Sequence, residues 1–302
     1  MFIPRRKFIK AAAAASGIAL LKGLPFSSVA APRKKKGVKL CAHLWVYASK
    51  FPPQWDATPV LDKVFSDLKY AGYDGVELME VNLRHEDAVA RLRELSRKHK
   101  IGVSGTSYSA PMWNRDKHAD IVVDVDLITS KLRDLGATTF GITTGKVDHK
   151  KTEAELDAQA VILKMINGIC RKKKLVANLH NHTWEVEHDL HELKGMMSRV
   201  PDLKLGPDLN WLVRGGVDPV WFIENYGTRM AYMHLRDQRA DGKWTEAVGE
   251  GVMNFPGIAA ALRKINYKGW AGVELAYDTP VERIERENWK ISREYVRKVF
   301  GW

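Results

Sequence analysis

Cysteine is scarce in this sequence: Cys41 and Cys170 are the two among 302 residues. That excludes a small disulfide scaffold and a structural zinc site built on thiolates. Two buried thiols acting as small apolar side chains are the simple expectation, with a disulfide as the alternative in an oxidising compartment. Acid is missing from residues 1–36, which carry nine Lys and Arg residues. The formal net charge of +12 therefore falls to +3 over residues 37–302. A body so near balance offers no electrostatic footprint for nucleic acid. No G-x-G-x-x-G phosphate loop follows the first predicted strand, where "VYASKFPPQWDATP" stands instead. No internal repeat and no second-domain linker is visible.

The basic N-terminus has its own pattern. "PRRKFIK" puts Arg5 and Arg6 before the apolar run "AAAAASGIALL" (11–21), and "FSSVAAP" follows. A charged segment, a short apolar segment and small residues around Ser28-Val29-Ala30 read as an export signal, resembling the twin-arginine type. The run is too short for a permanent membrane span. The expectation is a signal peptide over 1–31, a basic linker over 32–37 and one domain over 38–302. The mature protein is expected to be periplasmic or extracytoplasmic. An uncleaved anchor is the competing reading.

From residue 38 apolar strands alternate with amphipathic helices. Strands are predicted at 38–45, 74–79, 101–108, 138–144, 175–181, 203–211, 230–237 and 269–276. Helices are predicted at 58–72, 85–100, 120–136, 152–174, 189–200, 218–227, 255–266 and 280–300. Thr58 and Pro59 open the first helix and Gly72 closes it. Eight strand–helix units imply a parallel sheet, and their span fits a single-domain (β/α)8 TIM barrel.

Chemistry in such a barrel sits at the C-terminal ends of the strands. Strand one offers His43 and strand two Glu77. Strand five ends in "LHNHTWE", with His180, His182 and Glu185 in a short span. Strand six carries Asp208 and Trp211, strand seven His234 and Arg236, and strand eight Glu274. Imidazoles and carboxylates on four successive strands can converge on one cation. Such a donor set suits Mn²⁺, Fe²⁺, Zn²⁺ or Co²⁺ better than Ca²⁺. Glu77 is expected to serve in a structural hydrogen bond, as a buried carboxylate must have a partner. His43, Trp211, Arg236 and Glu250 in "VGEG" are candidate substrate contacts.

These residues reach a resemblance. "LHNHTWE", "PDLNW…GGVDPVWFIENYGTRMAYMHLRD", "VGEGVMNF" and "WAGVEL" resemble the sugar phosphate isomerase/epimerase family of xylose-isomerase-like TIM barrels. The similarity runs over 38–300 and is most specific over 175–276. It implies one divalent metal, Mn²⁺ in first place, with Zn²⁺, Co²⁺, Fe²⁺ or Mg²⁺ as alternatives. Asp208, His234 and Glu274 match the family's ligand positions. At the strand-five glutamate this sequence has His180, with Glu185 a few residues later, as in an HNH-type subgroup. The fifth-strand ligand is therefore His180 or Glu185. The family more often has Lys where Arg236 stands. The implied chemistry is proton abstraction beside a sugar carbonyl through a metal-stabilised enediolate, with Glu185 or His182 and Glu274 moving the proton. Export points away from sugar phosphates and towards a keto-sugar or keto-glycoside, with isomerase, epimerase or lyase outcomes. The rivals are an endonuclease-like phosphodiesterase and a periplasmic sugar-binding barrel without turnover. A homo-oligomer is compatible with the sequence.

Overall fold

The computed structural model describes residues 37–278 and 281–302. The export signal read over 1–31 lies outside the described residues, as does all of the basic linker but Gly37. Eight strands run parallel: β1 Lys39–His43, β2 Gly75–Met79, β3 Gly102–Ser109, β4 Thr139–Thr143, β5 Val176–Leu179, β6 Lys204–Leu205, β7 His234–Leu235 and β8 Trp270–Glu274. They are hydrogen-bonded in the order β6-β5-β4-β3-β2-β1-β8-β7. Bridges Leu205↔Met230 and Asp208↔His234 close the ring between β6 and β7. The chain is a single-domain (β/α)8 TIM barrel.

Among the described residues, eleven α-helices connect and cover the strands: α1 Trp45–Ala48, α2 Leu61–Ala71, α3 Val81–Arg84, α4 Ala88–His99, α5 His118–Asp134, α6 Glu153–Lys172, α7 Thr183–Arg199, α8 Leu209–Arg214, α9 Pro219–Tyr226, α10 Phe255–Lys264 and α11 Glu285–Phe300. Their ends follow local chemistry. Thr152 caps α6 in a reciprocal box with Glu155, and Gly72 ends α2 at φ 82°. Strands β1, β2 and β4 are buried on both faces along most of their length, as in a sheet covered by helices. Among the described residues no helix is long and apolar enough to cross a membrane.

Three elements depart furthest from the sequence reading. The strands predicted at 203–211 and 230–237 shrink to two residues each. Pro207 has no N–H to donate, and Asp208 caps α8 by accepting from Asn210 and Trp211, so the chain leaves the sheet there. The helix predicted at 189–200 begins six residues earlier, at Thr183. It is broken at Glu187–Leu190, where His188, Asp189 and Leu190 have φ of 52°, 58° and 59°. Both cysteines are buried free thiols, so the disulfide alternative falls.

Candidate active site

Register decides which side chains share a level of the barrel. His43 pairs with Glu77 on one side and Glu274 on the other, while His234 pairs with Gly272 and bridges to Asp208. A cavity of about 460 Å³ opens at this C-terminal end, lined among others by His43, His180, His182, Trp211, His234, Arg236 and Glu274.

Asp208, bridged to His234 of the cavity wall, is fully buried. Its Oδ1 accepts the N–H groups of Asn210 (2.9 Å) and Trp211 (3.0 Å). Its Oδ2 has no hydrogen-bond partner, and the nearest cation is Arg236 Nη1 at 3.7 Å. Burial pushes this carboxyl up to about 6 against the pull of Arg236. A buried oxygen left without a partner is costly unless something outside the protein supplies one.

His234 is held from behind. Its Nε2 lies 2.6 Å from Glu77 Oε2, which also accepts the Tyr232 hydroxyl at 2.5 Å. Cys41 Sγ lies 2.9 Å from that hydroxyl. An ionised Glu77 places the proton on Nε2 and leaves Nδ1 facing the cavity. Burial would lower the His234 pKa, but Glu77, Glu274 and Asp208 outweigh it and hold it at about 9. Nδ1 is 3.1 Å from His180 Nδ1 and 3.4 Å from Glu274 Oε2. Burial, with its imidazole neighbours, pushes His180 well below its ordinary value. Glu274 would rise on burial, yet Arg236 Nη1 at 3.1 Å and the neighbouring imidazoles hold it at about 2.

These residues fit a divalent cation. His180, Asp208 and His234 each present a ligand atom, all within 4.8 Å of one another. Two imidazoles and a carboxylate suit a borderline transition ion. Asp208 Oδ2 lacks a partner, and Glu77 stands behind His234 as the outer-shell carboxylate that orients a ligating imidazole. Glu274 borders this triple through His234.

Around it stand groups able to grip and deprotonate. His182 stacks on Trp184 with ring centres 4.3 Å apart and lies 5.1 Å from His180. Its Nδ1 is unpartnered, and burial pushes its pKa down to about 4, so it is neutral at pH 7. The Arg236 guanidinium lies 4.1 Å from the centre of Trp244, with a buried Nε free of partners. Trp211 Nε1 is likewise unpartnered. His43 Nδ1 accepts the Trp45 N–H at 3.2 Å, so its Nε2 donates to Ser107 Oγ at 2.9 Å.

Two residues singled out from sequence are placed elsewhere. Glu185 is turned into the start of α7, where its Oε2 accepts the His182 backbone N–H at 2.8 Å. It does not line the cavity, and burial with Glu192 beside it pushes it up to about 8. Glu250 accepts from Ala247 N–H and pairs with Arg283 at 2.6 Å, also away from the cavity. Conversely, Ser107, Thr143 and Trp55 line the cavity without having been singled out. Thr143 closes β4 and Ser107 lies near the end of β3, so strand ends alone could have found both. Trp55 reaches in from an irregular loop at φ 57°, where no periodicity marks it.

A sequence model described as "Xylose isomerase-like TIM barrel" matches residues 65–299. "Inosose dehydratase 2" of Bacillus cereus is 22% identical over 276 residues, covering 81% of this chain and 92% of that protein. The D-allulose 3-epimerase of Methylomonas sp., solved with D-allulose, superposes with a TM-score of 0.73 at 15% identity, covering 88% of this chain and 98% of its own. The 3-keto-D-glucoside 4-epimerase of E. coli superposes with a TM-score of 0.68 at 13% identity, covering 86% and 99%. With that match across most of its length, and a barrel whose rim gathers imidazoles and carboxylates, the chain belongs to the xylose isomerase-like TIM barrel family.

Proposed function

We propose that this enzyme removes the proton beside the carbonyl of a keto-sugar or keto-glycoside and finishes by epimerisation, isomerisation or elimination, with one divalent metal. The observation that carries the reading is the unpartnered Asp208 Oδ2, buried within reach of His180 and His234 beneath a cavity that holds a free imidazole. Those three residues, bordered by Glu274, would hold the ion. When bound, a divalent ion supplies Lewis acidity to a substrate carbonyl, and Mn²⁺ heads the candidates.

The chain's own residues do the rest. His182, neutral at pH 7, accepts the proton from carbon. Glu274, kept ionised by Arg236, is the carboxylate available to carry a proton at the opposite side. Arg236 Nε donates to a substrate oxygen, and Trp211, whose Nε1 is also unpartnered, borders the cavity where a sugar ring would sit. The His180-Asn181-His182 run supports placement in the HNH-type subgroup. Relatives named inosose dehydratase and a neighbour named 3-keto-D-glucoside 4-epimerase support a keto-sugar class with either outcome. The twin-arginine reading of residues 1–31 supports a periplasmic site of action, and with it an unphosphorylated substrate.

The test is deuterium wash-in. Mn²⁺-loaded enzyme is incubated in D₂O with keto-sugars and 3-keto-glycosides, and the carbon beside the carbonyl is followed by mass spectrometry. His182→Ala should slow exchange by about 10²–10⁴-fold, the usual worth of a positioned base. Asp208→Ala and His234→Ala should abolish it. Full exchange by Asp208→Ala sinks the proposal.

A further inference from the structure

A second cavity, of about 520 Å³, adjoins the first. Trp184 lines both. Its indole stacks on His182 on the reaction side, and Lys146 Nζ lies 5.7 Å from its ring centre. The indole Nε1 is buried and has no partner. The walls come from the segment after β4 and from the break in α7. They carry Lys146 and Lys150, His149 and His188, and the carboxylates Asp148 and Glu187. The floor is the buried pair Lys151–Glu192, at 2.8 Å, whose charges cancel. Three consecutive non-glycine residues in the left-handed region, His188 to Leu190, turn the chain there and leave Glu187 and His188 on the rim. Left-handed backbone without glycine is strained, and such strain concentrates at working sites.

The lining narrows the occupant. A phosphate or carboxylate would meet Asp148 and Glu187 as well as the lysines. An apolar group would find few apolar side chains beyond Val147 and Trp184. Donors and acceptors of both signs around one aromatic face suit an uncharged ring bearing hydroxyls. A cavity of this size lies within the ordinary range for ligand sites, about 300–1,000 Å³.

We infer that this cavity is a subsite for a second sugar unit, so that the substrate is a glycoside of at least two units, with the reacting unit on the His182 side of Trp184 and its neighbour on the Lys146 side. The inference rests on the proton-abstraction reading only for which unit reacts. Binding tests it without turnover. Unoxidised gluco- and galacto-configured disaccharides, each paired with its methyl monoglycoside, are titrated calorimetrically into the full-length enzyme. At least one disaccharide should bind about tenfold or more tighter than its monoglycoside, a difference of about 1.4 kcal/mol. Val147→Trp, which fills the cavity, and Lys146→Ala should each remove that gain and leave the monoglycoside Kd unchanged. Equal affinities across every pair, or a gain that survives both substitutions, overturns the inference. Deuterium wash-in separates the two readings. A binding gain without exchange sinks the proton abstraction and keeps the subsite, and exchange without a gain does the reverse.

Discussion

Glu77→Gln should weaken metal binding at high pH and scarcely change it at neutral pH. The amide oxygen of Gln can accept from both Tyr232 and His234 as the carboxylate does. The substitution therefore removes charge and keeps shape. Two consequences oppose each other. An outer-shell carboxylate makes the ligating imidazole more basic, and its loss costs about 10–100-fold in metal affinity. The same carboxylate also holds His234 at about 9, so at pH 7 a cation must first displace a proton from that ring. Two pH units of such competition are worth about 100-fold, or roughly 3 kcal/mol. Without Glu77, the strongest group opposing burial is gone, so the His234 pKa falls and that competition weakens. The terms nearly cancel at pH 7, whereas at pH 9 and above only the lost basicity remains. Competition with a chromogenic chelator, using Zn²⁺ or Co²⁺ from pH 6.5 to 9.5, reads the ratio of the two affinities. Parity at neutral pH opening to a deficit of about 10–100-fold at pH 9 is the expected result. A deficit independent of pH, or no deficit at pH 9, would refute the account of Glu77 as the group that fixes the charge of His234.

Glu192→Ala leaves the buried Lys151 without its carboxylate partner, with neutral acceptors only, and Gln159 Nε2 without its acceptor; it should cost about 3–5 kcal/mol, lowering the melting temperature by roughly 10 °C or more in calorimetry. Unchanged melting would mean that the pair contributes nothing. Glu185 is raised to about 8 in the fold, so folding takes up a proton there; the associated stability is full below the unfolded carboxyl range and is lost as pH rises towards 8. Glu185→Gln never ionises, and its melting temperature relative to wild type should climb between pH 5 and pH 8; a flat difference contradicts the burial argument. At Gly272 an added Cβ would overlap the Tyr232 hydroxyl and come within 2.9 Å of His234 Cδ2. Gly272→Ala should displace the imidazole and lower exchange by about 10²-fold while the circular dichroism spectrum is kept; wild-type exchange would show that the ring has room to spare.

The eightfold alternation is legible because most of the parallel strands are short, largely apolar runs and most helices announce their ends. Thr152 with Glu155, Gly72, and Asn254 ahead of Pro256 are local signals that need no tertiary context. Strand ends were a sound guide to what meets. The structure brings His43, His180, His182, His234, Arg236 and Glu274 to one cavity, with Asp208 buried within reach of His180 and His234. Strand lengths were less legible. A run such as "LKLGPDLNW" reads as strand throughout, yet the Asp208 carboxylate is worth more as a cap on α8 than as a strand residue. The barrel closes there through two isolated bridges, which leave no periodic trace.

The opening of α7 was the consequential difference, because it separates three side chains that the sequence places together. Had β5 run on, His180 and His182 would have pointed to one side and Glu185 would have lain on the loop beyond. Instead β5 stops at Leu179, and the His180 N–H makes one more sheet-like bond, to Ile142 O at 2.8 Å. The helix then starts at Thr183. Its first exposed N–H groups need acceptors, and Glu185 supplies one by reaching back to the N–H of His182. That bond draws the carboxylate behind the helix and leaves the two imidazoles at the mouth, edge to face at 77°. His180 then turns Nδ1 towards His234, and His182 lies flat on Trp184 with its own Nδ1 free. A spacing of two residues fixes distance along the chain and nothing more. Where the strand ends decides that one histidine turns towards His234 and Asp208 while its neighbour lies on Trp184.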